Sequence, residues 1–125
     1  MSFTCNAPEL VKKWRSLVND NVAIGRDAAL IKRALVELTP AQILYGMYQY
    51  ETERTISIPQ FLAQQEDWVI DAEEAEIELA ICISHTTPPE YFLWQDYRQE
   101  QTSYAYQQAR DARRKLQVWS ARVLA

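Results

Sequence analysis

Glycine is scarce in this sequence, since Gly25 and Gly46 are the only two among 125 residues. A sandwich or barrel of short strands needs positive φ at many turns, and glycine adopts that conformation most readily. Two glycines therefore argue against an all-β fold and favour helices joined by a few loops. The glycine-rich phosphate loops of nucleotide-binding proteins are excluded as well, because they need closely spaced glycines.

Cysteine and histidine are scarce too, with only Cys5, Cys82 and the single His85. Two cysteines cannot form a disulfide framework, so we expect reduced thiols. Cys82 and His85 could meet on one helix, but zinc needs three or four ligands. We interpret Cys82 as a small buried residue and His85 as a helix end. We therefore predict a protein that is not an enzyme, with no catalytic residue, no cofactor and no metal.

Long apolar segments are also missing. The longest stretch without a charged residue, 38–50, has 13 residues, whereas a transmembrane helix needs about 20. The N-terminal sequence lacks the apolar core of a signal peptide. We therefore expect a cytoplasmic protein that makes no contact with a membrane.

Charge is present but unevenly distributed along the chain, whose net charge is −4. Residues 1–50 carry six basic and four acidic side chains, residues 51–100 two and twelve, and residues 101–125 five and one. Two interpretations follow. Acidic and basic elements neutralise each other within or between chains, or the acidic middle forms a face for a basic partner.

The pattern of polar caps followed by proline predicts an all-α fold. Asn6 or Ala7 before Pro8, Thr39 before Pro40, and Pro88 with Pro89 each indicate a helix start. No repeat or linker supports a second domain. We predict a single domain, 1–125, of five or six helices, with a flexible N-terminus over 1–7.

The segment 70–85 combines two conflicting patterns. Ile77, Leu79, Ile81 and Ile83 alternate with other residues, as in a strand. Asp71 and the glutamates that follow it are instead typical of a helix start, where the helix dipole favours carboxylates. A strand would also have no adequate partner, and an isolated two-stranded ribbon is marginal in water. We predict a helix.

The last segment has neither glycine nor proline over the 36 residues from Glu90 to the C-terminus. Its large residues recur every three or four positions, which predicts a long amphipathic helix over 90–124. An unbroken helix of that length would measure about 50 Å, more than the roughly 36 Å diameter of a domain of this size. The helix must therefore overhang its domain, bend near 101–103, or pack on another chain.

Aromatic side chains on this segment point to protein contacts, because large amphipathic groups dominate interface energetics. We predict a non-catalytic protein–protein interaction module, such as an adaptor, assembly or inhibitor protein. We expect a homodimer, and a protein partner with a basic surface. The residues predicted to bind partners are Trp94, Tyr97, Tyr104 and Trp119 on the terminal helix and Glu73, Glu74, Glu76 and Glu78 on the acidic surface.

An alternative uses the same acids differently. An acidic protein can mimic nucleic acid and occupy the binding groove of a nucleic-acid-binding protein, a strategy of small accessory proteins of mobile elements. Direct binding of nucleic acid is less favoured: in a helix-turn-helix built from this region, the recognition helix 71–84 would be anionic and would repel phosphates.

Overall fold

The bounds of the helices follow the polar caps and prolines. The computed structural model describes residues 3–125, which contain no strand. Eight helices follow in order: α1 (Ala7–Leu17), α2 (Ile24–Ala34), α3 (Pro40–Tyr48), α4 (Ile58–Ala63), α5 (Gln65–Trp68), α6 (Ala72–Ser84), α7 (Pro89–Tyr97) and α8 (Ser103–Leu124). The prediction of an all-α fold in one compact domain is confirmed.

Three of the helices begin with a reciprocal capping box. The side chains of Asn6, Thr39 and Ser57 each accept a hydrogen bond from the backbone N–H three residues on. The residue in that position returns a bond to the backbone of the cap, which satisfies two donors that a helix start leaves open. In all three boxes a proline lies in the first or second helical position, so short stretches of sequence are sufficient to specify these helix starts.

The predicted count of five or six helices is too low, for two reasons. The chain between α3 and α6 contains two short helices, α4 with six residues and α5 with four. The predicted terminal helix 90–124 is also two helices, separated at 98–102.

The terminal segment therefore bends, which was one of the three alternatives, and the bend lies close to the predicted position at 101–103. Thr102 caps α8 by accepting a hydrogen bond of 3.0 Å from the backbone N–H of Ala105. The rings of Tyr97 and Tyr104 then meet edge to face across the turn, with their centroids 5.8 Å apart. Folding back lets α8 pack against both α7 and α6. We refer to α7 and α8 with their connecting turn as the terminal hairpin.

Two clusters of buried side chains form the core. The larger lies among α1 to α5, and its centre is an aromatic stack in which Phe61 contacts both Trp14 and Trp68. The smaller consists of Ile77, Trp94, Ala112 and Leu116, which join α6 to the terminal hairpin.

Helix α6 contributes to both clusters. Ala75 and Leu79 belong to the larger cluster and Ile77 to the smaller, so α6 is buried against α3 on one side and α8 on the other. A helix covered on two sides needs apolar residues on both, which explains the strand-like alternation in its sequence. The prediction of a helix at this position is confirmed, with Asp71 as its cap.

The N-terminal segment and His85 complete the fold. Residues 1 and 2 of the segment predicted to be flexible lie outside the described residues, while Phe3 and Cys5 contact the larger cluster. His85 ends α6 in the left-handed conformation, with φ of 55°, as the sequence pattern predicted for a helix end. In the described range, no helix has the length and apolar character needed to cross a membrane.

Gly46 is required by close packing. A Cβ at this position would lie within 3.0 Å of three ring atoms of Trp68. That ring is fixed, because it stacks on Phe61 at 4.4 Å and its Nε1 donates a hydrogen bond to the Phe61 carbonyl. We expect Gly46→Ala to lower the free energy of unfolding by about 1–3 kcal/mol through overpacking, measured by urea denaturation.

Gly25 provides the matched control, since a Cβ there would meet no atom within 4 Å. Gly25→Ala should leave the free energy of unfolding unchanged or raise it by up to about 1 kcal/mol, because alanine restricts the unfolded chain. Equal loss of stability in the two variants would contradict the packing explanation.

Candidate interaction surface

The acidic side chains at the start of α6 are paired with arginines of the terminal hairpin. Arg98 Nη2 donates a hydrogen bond of 2.7 Å to Glu74 Oε1. Arg113 Nη2 lies 2.9 Å from Glu73 Oε2 and 3.5 Å from Asp71 Oδ1. The Nε atom of Arg113 is buried and has no acceptor within residues 3–125. These pairs join the start of α6 to α8 and to Arg98, the residue that follows α7, and they reduce the charge that α6 presents to solvent.

The next acid along α6, Glu78, is bound to a tyrosine. Tyr91 donates a hydrogen bond of 2.7 Å from its hydroxyl to Glu78 Oε1. Burial and this bond to a carboxylate raise the pKa of Tyr91 well above its ordinary value of 10.0. Burial also raises the pKa of Tyr45, with a smaller contribution from the charge of Glu78.

Three of the four glutamates predicted to bind a partner thus have partners inside the chain. Only Glu76 makes neither an ion pair nor a side-chain hydrogen bond in the part of the chain that the structure describes. The arrangement agrees with internal neutralisation, one of the two interpretations of the charge distribution. The acids that are exposed and form no ion pair among the described residues include Glu51, Glu53, Glu66 and Asp67 between α3 and α6, and also Asp20, Glu37, Asp96 and Glu100.

The four predicted aromatic anchors occupy three different environments. Trp94 is only 3% exposed and belongs to the smaller core cluster, against which the half-buried Trp119 packs. Tyr97 is half-buried beside Tyr104, which is 64% exposed. The structure therefore brings Tyr97 and Tyr104 together but does not place all four on one exposed seam.

Exposed apolar side chains are concentrated on the same hairpin, and apart from Tyr104 none of them was predicted from the sequence as a contact residue. In the described residues, eight large hydrophobic side chains are exposed, and five of them belong to α7 or α8: Phe92, Leu93, Tyr104, Tyr106 and Val118. A signal was available in the run Tyr91-Phe92-Leu93-Trp94, because four consecutive large residues cannot all face one side of a helix. Trp94 faces inward, so Phe92 and Leu93 face outward.

A cleft of about 580 Å³ opens between α7 and α8. Its walls combine aromatic and basic side chains with a few others: Trp94, Tyr97, Tyr106, Ala109, Arg98, Arg110, Arg113, Arg114, Gln117, Glu73 and Glu100. The Arg98 guanidinium lies over the Trp94 ring, 4.5 Å from its centroid. The sequence showed the excess of basic side chains in 101–125 but did not predict that several of them line a cleft.

The thiol and the imidazole considered at the outset do not form an activated pair. Cys82 is half-buried, and burial, with the nearby charges of Glu78 and Glu51, raises the pKa of its thiol. A raised pKa leaves less of the nucleophilic thiolate, and His85 is exposed. Across residues 3–125, no group of three or more His, Cys, Asp or Glu side chains is placed to hold a metal ion.

Comparison with known proteins adds no relative: no protein-family model, no curated protein and no solved structure matches this chain significantly. The fold and the surfaces described above therefore carry the functional argument.

The Tyr91–Glu78 hydrogen bond makes the stability of the fold decrease as the pH rises in the alkaline range. The folded state favours the neutral phenol, so this stabilisation is complete below pH 10.0 and is lost as the pH rises through the folded-state pKa. We expect Tyr91→Phe to lower the free energy of unfolding by about 1 kcal/mol at neutral pH. In this variant the free energy of unfolding should also fall less steeply above pH 10.0 than in the wild type. Urea denaturation at a series of pH values measures both effects.

Tyr106→Phe is the control, because Tyr106 is 65% exposed and donates no side-chain hydrogen bond to any described residue. It should match the wild type at both neutral and alkaline pH. An unchanged alkaline decline in Tyr91→Phe would show that this hydrogen bond does not control the effect.

Proposed function

We propose that this protein is a non-catalytic protein–protein interaction module whose contact surface is the outward side of the terminal hairpin. The observation that carries the proposal is the concentration of exposed apolar side chains on α7 and α8. Exposed apolar residues scattered singly are normal, but a contiguous patch is typical of a binding surface. Phe92 and Leu93 are adjacent on α7, and the exposed Tyr104 of α8 contacts Tyr97 at the end of α7.

The hairpin also supports the role of a preformed surface. The pairs between α6 and Arg98 or Arg113 hold its two helices in place, and Trp94 anchors it in the smaller cluster. A surface that is ordered before binding loses less conformational entropy on association. We therefore propose that the exposed Phe92, Leu93, Tyr104 and Tyr106 contact the partner. Trp94 and Trp119 pack in or against the smaller cluster and stabilise the hairpin.

We propose a second copy of the chain as the first partner, in a cytoplasmic homodimer. A two-fold interface uses the same patch on both subunits, so one apolar surface is sufficient. In an adaptor, assembly or inhibitor protein, a further partner with a basic surface would meet the unpaired acids Glu51, Glu53, Glu66 and Asp67. The nucleic-acid-mimic alternative receives less support, because internal pairs already occupy Glu73, Glu74 and Glu78.

Paired serine substitutions test the surface. We expect the wild type to show the mass of a dimer by light scattering across a tenfold concentration range. Phe92→Ser with Leu93→Ser should shift the protein to monomer, since the pair removes exposed apolar area from the interface. Both side chains are largely exposed in the single chain, at 57% and 46%, so the fold should be retained, as checked by circular dichroism.

Ile24→Ser with Val36→Ser is the matched control, because these side chains are exposed to a similar or greater extent, at 61% and 83%, but lie outside the hairpin. The control should remain dimeric. A monomeric wild type at every concentration would contradict the homodimer, and equal loss of dimer in both double variants would contradict the placement of the interface.

A further inference from the structure

We propose that the cleft between α7 and α8 is a binding site for a small anion that carries a planar ring, with a carboxylate or phosphate as its acidic group. The cleft shares Tyr106 with the contact surface proposed above, but Phe92, Leu93 and Tyr104 do not line it. The dimer is tested at Phe92 and Leu93 and the cleft at Arg110 and Arg114, so the two proposals can fail independently.

The charge of the cleft is the first argument. Four arginines and two glutamates line it, although the whole chain has a net charge of −4. Arg98 and Arg113 are already paired with acids of α6. Arg110 has no ion pair among the described residues, and Arg114 reaches only Asp111, at 3.6 Å, on an exposed surface where such a pair contributes little. Two guanidinium groups thus remain available to a ligand.

The spacing of these two arginines is the second argument. Arg110 and Arg114 lie four residues apart in α8, on the same side of the helix and about 6 Å apart along its axis. Both line the cleft. A guanidinium binds a carboxylate or phosphate through two parallel hydrogen bonds, which gives geometry as well as charge. The pair is therefore suited to hold one acidic group from two directions.

The aromatic wall is the third argument. Tyr97 and Tyr106 line the same cleft as the two arginines, and a planar ring can pack against them. Trp94 also lines the cleft, but it is 3% exposed and Arg98 lies over its ring. The volume of about 580 Å³ lies within the range of small-molecule sites, roughly 300–1,000 Å³. A ring that carries one acidic group would use the aromatic wall and the free arginines at the same time.

The same features disfavour a long polyanion. Glu73 and Glu100 lie in the walls and would repel a phosphate chain that extends through the cleft. A compact anion that reaches only Arg110 and Arg114 avoids most of this repulsion. The ring acid could be a nucleoside phosphate or an aromatic carboxylate, and different probes distinguish these two sources.

The test is a set of titrations by calorimetry, with the indole N–H resonance of Trp94 followed in parallel by NMR to locate binding. The probes are adenosine monophosphate, 1-naphthoate, their uncharged analogues adenosine and 1-naphthamide, and inorganic phosphate. We expect one of the two ring acids to bind with a sub-millimolar dissociation constant and to shift the Trp94 resonance. Its uncharged analogue and inorganic phosphate should each bind at least about tenfold more weakly, since each lacks one of the two contacts.

A pair of double variants assigns the binding to the two free arginines. Arg110→Gln with Arg114→Gln should weaken binding of the ring acid by at least about tenfold. Lys12→Gln with Arg15→Gln removes the same charge from an exposed depression on α1 and should change the affinity by less than about twofold, because distant charges are screened. All four side chains are exposed, so both variants should fold; the single Arg110→Gln variant repeats the test if the first does not.

Three results would overturn the proposal. These are the absence of measurable binding by either ring acid, an equal loss of affinity in the two double variants, and binding of inorganic phosphate as tight as that of the ring acids. Preference for adenosine monophosphate would identify the nucleoside phosphate as the ligand type, and preference for 1-naphthoate would identify the aromatic carboxylate.

Discussion

The burial of α6 on two opposite sides is the constraint on which the rest of the structure depends. Ala75 and Leu79 pack into the larger cluster, while Ile77 packs into the smaller one with Trp94 and Leu116. A helix in this position must be apolar on two faces, and its charged residues are confined to the strips between them. The strips carry Glu73, Glu74 and Glu78, which meet Arg113, Arg98 and Tyr91 of the hairpin. Hydrophobic packing thus brings the hairpin to α6, and the acids then fix its orientation.

This arrangement changes which part of the molecule is available to others. Three acids at the start of α6, namely Asp71, Glu73 and Glu74, are paired with arginines inside the chain, while the hairpin that supplies those arginines exposes aromatic and apolar side chains. Because Arg98 and Arg113 are held by α6, the cleft beside them owes its free positive charge to Arg110 and Arg114. The proposed protein-binding surface and the proposed anion-binding cleft therefore lie on one hairpin and share Tyr106, while Phe92 and Leu93 belong only to the surface and Arg110 and Arg114 only to the cleft.

Local signals predicted the helix starts, and long-range packing decided what the sequence could not. Thr39 and Asp71 act as caps through bonds to residues two or three positions away, so their role is readable from the sequence. The break before Thr102 has no glycine or proline to mark it, and it follows from how the hairpin packs on α6. Trp94 and Phe92 are two positions apart on one helix, yet one is buried and the other is 57% exposed. Which of them faces inward depends on contact with α8, and the prediction of a single helix over 90–124 did not distinguish α8 from α7.

The unequal size of the two clusters has a further consequence for how the molecule moves. The smaller cluster, which joins the hairpin to α6, has four buried residues, whereas the larger cluster, which includes Ala75 and Leu79 of α6, has fifteen. Regions with fewer buried apolar contacts open more often while the remainder stays folded. The hairpin is therefore the part whose backbone amides should exchange with solvent first, through opening that leaves α1 and α3 intact. A ligand or a second subunit bound to the hairpin would slow that opening, so its backbone amides would exchange more slowly in the bound state.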